Sequence, residues 1–167
     1  MKRLALVLMS CSTMAFAQSP MTGNAQLKDA QGKAVGTATL TDVPHGVLMH
    51  VTLTGVPAGV HAFHVHANGA CEPPFTSAGG HFNPGGAQHG IENEKGMHAG
   101  DMTNVTVPAD GNLTFDVFNP HVTLRAGPNS LFKEGGTALM LHGGADDYKS
   151  DPAGNAGPRI ACGVVTH

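Results

Sequence analysis

The chain predicts an all-β fold. Glycine accounts for 23 of its 167 residues and proline for 11, while charged residues make up only 13%. Such a composition provides many turns and little of the Ala/Leu/Glu/Lys density that long helices favour. Short strand-like runs also recur between turn residues at the spacing of sandwiches and barrels. No stretch has the period of a long helix, and no internal repeat or linker is visible. The length suits one domain with a core able to stand alone. An apolar content of 41% without a charge block excludes disorder as the general state.

The first element is a leader. "MKRLALVLMSCSTMAFAQSP" carries two early positives, an apolar run from Leu4 to Met9 and a small-x-small site at Ala15-Phe16-Ala17. The apolar run is much too short to span a bilayer. Residues 1–17 therefore read as an export signal, leaving residues 18–167 as one β domain outside the cytoplasm, in the periplasm. "LMSC" loosely resembles a lipoprotein cleavage site ending at Cys11, although Met9 fits that pattern badly. Removal of the leader takes Lys2 and Arg3 but no acid, so the formal net charge moves from −3 to −5. That sign argues against nucleic acid or an anionic membrane as the main partner. Cleavage also removes Cys11. Cys71 and Cys162 remain, and an even pair in an exported chain reads as one disulfide.

The strands follow in order. "NAQLKDA" and "KAVGTATLTD" flank a plausible hairpin turn at Asp29 to Gly32, and "GVLMHVTLTG" follows. Val60 to His66 in "GVHAFHVHANGAC" alternates as a strand, yet one of its faces carries His64 and His66. Residues spaced i, i+2 point the same way, so the two imidazoles stand side by side. That pairing is wasteful in a core and well suited to a metal. From Glu72 to Gly100 regular patterning stops, in a long loop of the kind that is uncommon unless functional. "MTNVTVPADGNLTFDVF" resumes the strands, with a hairpin turn at Asp110-Gly111. "GTALMLH" is the next strand, "GGADDYKSDPAGNAGP" a second long loop, and "RIACGVV" closes the domain.

The first loop contains His81, His89, His98 and Asp101. Three histidines and a carboxylate form a zinc-type donor set suited to a closed tetrahedral site. A loop without regular structure needs something to order it, and a metal would do so. His64, His66 and His142 add further imidazoles, and all-nitrogen sets suit copper.

These stretches carry a family resemblance. "GVHAFHVH", "SAGGHFNP", "HG" at His89, "MHAGD", "LHGGADD" and "GNAGPRIACGV" together resemble the copper/zinc superoxide dismutases of the bacterial exported type, from about Asn24 to Val165. The resemblance implies an eight-stranded Greek-key barrel or flattened sandwich with two long functional loops; the family is itself an example of sandwich architecture. It implies one copper and one zinc ion per subunit. His64, His66, His81 and His142 match the copper ligands, and His81, His89, His98 and Asp101 the zinc ligands, with His81 bridging. Asp146 matches the carboxylate that ties His64 to His89, and such partners fix ring orientation. Arg159 matches the guanidinium beside the open copper position. Cys71 and Cys162 match the disulfide that anchors the metal-binding loop to the last strand.

The implied reaction converts superoxide to oxygen and hydrogen peroxide, with Arg159 and His81 as the catalytic residues and superoxide as the partner. A non-enzymatic copper- or zinc-binding protein on the same scaffold is the alternative. A monomer and a homodimer are both compatible with the sequence. Lys149 is a candidate steering charge, because the second loop lacks the longer charged segment of animal relatives. His61 reads as a structural hydrogen-bonding residue, and His45, His50, His121 and His167 as turn, surface or tail residues.

Overall fold

The structure, a computed structural model, describes residues 19–167. The expected leader and Cys11 lie outside them. Almost everything regular is strand. β1 (Thr22–Lys28), β2 (Ala34–Val43) and β3 (Gly46–Leu53) form consecutive antiparallel pairs. β1 alternates strictly between exposed and buried residues and turns Ala25 and Leu27 inward, as a half-buried strand of period two must. The Asp29 carboxylate closes the β1–β2 turn by accepting the N–H groups of Gln31 and Lys33, each at 2.9 Å.

The run from Val60 to His66 is not one strand. β4 (Gly59–His61) and β5 (Phe63–His66) belong to different sheets and break at Ala62. Ala62 donates its N–H to the Gly144 carbonyl and accepts from His142 N–H. His142 and the start of the second loop thus take the backbone bonds that would have continued the ladder. β6 (Val105–Val107) pairs with β4, whereas β7 (Leu113–Asn119) pairs with β3. The turn at Asp110-Gly111 is present, but it joins strands of two sheets and does not close a simple hairpin. β8 (Ala138–His142) and β9 (Arg159–Val164) complete a curled antiparallel sheet of order β5-β8-β9-β1-β2-β3-β7. Nine strand segments are described where the resemblance implied eight, the split at Ala62 supplying the extra one.

The curled sheet encloses a core of Leu27, Leu40, Met49, Leu53, Phe63 and Leu139, all fully buried. Each such side chain contributes about 1.5–3 kcal/mol relative to exposure. Phe63 meets Phe115 edge-to-face at 5.5 Å, a favourable geometry for aromatic quadrupoles. β5 is buried on both faces. Phe63 and Val65 join the core, leaving His64 and His66 on the face that the first loop covers.

Cys71 is bonded to Cys162, with their Cα atoms 5.6 Å apart, tying the start of the first loop to β9. Among the described residues, no helix is long and apolar enough to cross a membrane.

Candidate metal centre

β5, β8 and the first loop bring six histidines together. β5 pairs with β8, which sets His142 at the strand end near His64 and His66. The loop then returns to β5. His81 makes an isolated bridge with His66, Phe82 N–H donates to Val65 O, and Val65 N–H donates to Gly100 O. Gly100 permits this return, because a Cβ there would lie 2.3 Å from Val65 O. Only glycine allows that approach of backbone to backbone.

Two donor groups result, and His81 belongs to both. His64, His66, His81 and His142 form one, and His81, His89, His98 and Asp101 the other; within each group the ligand atoms lie within 4.8 Å of one another, and every residue is buried. In the second group Asp101 Oδ1 lies 2.7 Å from His81 Nδ1, 3.0 Å from His89 Nδ1 and 3.3 Å from His98 Nδ1. His98 Nδ1 and His81 Nδ1 are 3.4 Å apart. Tetrahedral zinc with bonds of about 2.0–2.1 Å requires ligand–ligand edges of about 3.3 Å. In the first group His66 Nε2 and His142 Nε2 are 3.3 Å apart. His64 Nδ1 and His81 Nε2 are fully buried without a hydrogen-bond partner among the described residues. Leaving a buried polar atom unsatisfied is costly, and a metal ion satisfies both. The residues therefore fit a copper ion in the all-imidazole group and a zinc ion in the mixed group.

The outward nitrogens are held by the protein. His64 Nε2 donates to Asp146 Oδ2 at 2.8 Å, and His89 Nε2 to Asp146 Oδ1 at 3.0 Å. His66 Nδ1 donates to Gly79 O at 2.9 Å, and His142 Nδ1 lies 3.5 Å from Gly157 O. These contacts set each tautomer and turn the other lone pair inward. Asp101 Oδ2 accepts the N–H groups of Gly90 and His98. Burial lowers His66 to about 2, His142 to about 3 and His81 to about 4, with like-charged neighbouring imidazoles adding to the effect. Imidazoles held neutral in this way are ready for ligation. Burial alone would raise Asp146, but hydrogen bonds from His64, His89 and Tyr148 N–H overcome it and hold the carboxyl at about 2.

Arg159 sits beside the first group. Its guanidinium donates to Phe75 O and, at 2.6 Å, to Gly79 O. With His142 it lines an open cleft of about 400 Å³ beneath the second loop. Lys149 does not serve this cleft as a free charge, since its Nζ pairs with Glu92 at 2.9 Å. His61 bridges the carbonyls of His142 and Pro57. His50 pairs with Asp116 on the surface, and His167 stacks on Phe132.

The second loop has a framework of its own that its sequence does not announce. Asn104 exchanges two side-chain hydrogen bonds with the Asp146 backbone, and Tyr148 Oη accepts Asn104 N–H at 2.7 Å. Gly154, at φ 64°, packs so closely that a Cβ would fall 1.8 Å from Asp146 Oδ1. Asp151 accepts His89 N–H at 2.6 Å. None of these residues carries a distinctive sequence signal.

Residues 34–165 match the family described as copper/zinc superoxide dismutase (SODC). Over 106 residues the chain is 63% identical to the protein named Superoxide dismutase (Cu-Zn) 2 of Aquifex aeolicus, covering 62% of this chain and 62% of that relative. The aligned stretch is thus less than two thirds of the relative's length. Among solved structures, a SOD-like protein from Bacillus subtilis is similar with a TM-score of 0.81 at 37% identity, covering 84% of this chain and 96% of that one. Cu/Zn superoxide dismutase from Brucella abortus gives a TM-score of 0.72 at 31% identity, covering 86% of this chain and 99% of that one. The chain belongs to the copper/zinc superoxide dismutase family.

Proposed function

We propose that the protein is an exported superoxide dismutase that converts two superoxide anions and two protons into oxygen and hydrogen peroxide. His64, His66, His81 and His142 hold copper, and His81, His89, His98 and Asp101 hold zinc. The observation that carries the reading is the double membership of His81. Its Nδ1 faces Asp101 and His98, while its Nε2 is buried and unpartnered beside the other imidazoles. When bound, copper supplies one-electron redox chemistry, and zinc, which has none, orders the loop.

The chain's own residues do the rest. Arg159 offers a fixed positive charge at the mouth of the cleft, on a chain of formal net charge −3. Its bonds to Phe75 O and Gly79 O hold the guanidinium in place, so an anion entering the cleft meets a preorganised donor. His81 Nε2 is the atom that takes up and releases one of the two protons that peroxide formation needs, the other coming from solvent. His66 and His142 are likewise kept neutral by burial, each with its Nδ1 turned to a backbone carbonyl. Export to the periplasm agrees with the disulfide, which persists in oxidising compartments.

The test is superoxide dismutation by purified mature protein loaded with both metals, beside His142→Ala. The expected result is activity in the wild type and its loss in the variant, with zinc still bound. Wild type that binds both metals stoichiometrically but stays inactive would replace catalysis with the non-enzymatic metal-binding reading. Mass spectrometry of the exported protein should find Gln18 at its N-terminus; a lipid on Cys11 would contradict the proposed cleavage site.

A further inference from the structure

We infer that Asp151 is a positioning residue for the zinc group, holding His98 from outside as Asp146 holds His64 and His89. The inference deepens the metal-site reading and rests on it. Four of the five non-bridging imidazoles have an oxygen facing their outward nitrogen: Asp146 for His64 and His89, Gly79 O for His66 and Gly157 O for His142. His98 is the fifth. Its Nδ1 turns inward to Asp101 and His81. Its Nε2 has no hydrogen bond among the described residues, and the carboxylate facing it is that of Asp151, with Oδ1 at 3.9 Å.

That distance is about 1 Å longer than a hydrogen bond. A small rotation of the carboxylate, or one bridging water, closes it. The Asp151 side chain is half exposed, so it has room for either. It is also anchored, because the same Oδ1 accepts His89 N–H at 2.6 Å. One carboxylate therefore touches the backbone of one zinc-group histidine and faces the ring of another. Asp146 and Asp151 both come from the second loop and reach the two flanks of the first. Zinc retention should accordingly depend on how the second loop is set, although that loop supplies no direct ligand.

The experiment uses mature protein loaded with copper and zinc, and follows zinc release to a chromogenic chelator. In parallel, cobalt(II) at the zinc group reports ring orientation through its visible spectrum. Asp151→Ala should release zinc about 10–100-fold faster, shift the cobalt bands and leave copper content unchanged. Asp151→Asn keeps an oxygen for His89 N–H but loses the charge facing His98; it should lie between the two and also shift the cobalt bands. It decides the question if Asp151→Ala fails to fold. Release within twofold of wild type with unshifted cobalt bands would overturn the inference. So would wild-type behaviour of Asp151→Asn beside fast release from Asp151→Ala, because only the backbone bond to His89 would then matter. Wild type that takes up no zinc would instead refute the underlying metal reading.

Discussion

Replacing Gly154 with alanine should loosen the protein's hold on zinc while leaving most of its fold in place. The new Cβ would fall 1.8 Å from Asp146 Oδ1 and 2.7 Å from His89 Nε2. The carboxylate cannot step aside freely, because Oδ1 accepts from His89 Nε2 and from Tyr148 N–H while Oδ2 accepts from His64 Nε2. Displacing it breaks the outer support of two ligand histidines at once. Losing such support typically costs 10–100-fold in metal affinity, or about 1.4–2.8 kcal/mol. A second cost is the backbone, since φ at Gly154 is +64° and a left-handed L-residue is disfavoured by about 1–2 kcal/mol. Gly32→Ala separates the two. Gly32 has φ +81° with nothing within 4 Å of its added Cβ, so alanine there carries the backbone penalty alone. Urea unfolding of metal-free protein should destabilise both variants by at least about 1–2 kcal/mol. Chelator competition should show weakened zinc binding only in Gly154→Ala. Equal zinc affinity in the two variants would refute the claim that close packing holds Asp146 in place.

Arg159→Ala should slow dismutation and flatten its dependence on ionic strength without changing copper content. Electrostatic focusing raises association rates by about 10–10³, a range for which this enzyme class is itself an example; an unchanged rate at low salt would contradict the role given to Arg159. Replacing both Cys71 and Cys162 by serine opens a loop whose ends are 91 residues apart. Chain entropy sets a ceiling of about 4–5 kcal/mol on the loss, measurable by urea unfolding, and a loss below about 1 kcal/mol would show that the unfolded state is not the one constrained. Metal-free protein should weaken in acid. His66, His142 and His81 lie at about 2, 3 and 4 in the folded chain, against about 6.5 when unfolded. Protons therefore bind the unfolded chain preferentially, and the stability conferred by these neutral imidazoles is fully present above about pH 6.5 and lost as pH falls towards about 4 and below. A melting temperature that stays flat between about pH 7 and about pH 4 would contradict this assignment.

What was legible in the sequence follows from which features side-chain chemistry dictates. His64 and His66 can be read from two residues because period two forces them onto one face, and imidazole on a core face has few uses. His81, His89, His98 and Asp101 can be read as a set because their types, crowded into a loop without pattern, match one ion's preferences. The break at Ala62 could not be read. The alternation runs straight through it, and what ends the ladder is Gly144 O, brought in from the second loop. The turn at Gly111 was legible from its dipeptide, but its flanking strands' partners were not, since turn chemistry says nothing about which sheet each strand joins. Lys149 shows its charge in sequence but not its pairing with Glu92. The supports around Asp146 are the furthest from view. Asn104, Tyr148 and Gly154 act through a paired amide, a hydroxyl that accepts a backbone N–H and a positive φ, and each depends on position more than on residue type. Donor identity is thus written in side chains, whereas much of what tunes the donors is written in backbone geometry. A chain that kept every ligand could still hold zinc more weakly by altering that geometry, as is expected of an alanine at Gly154.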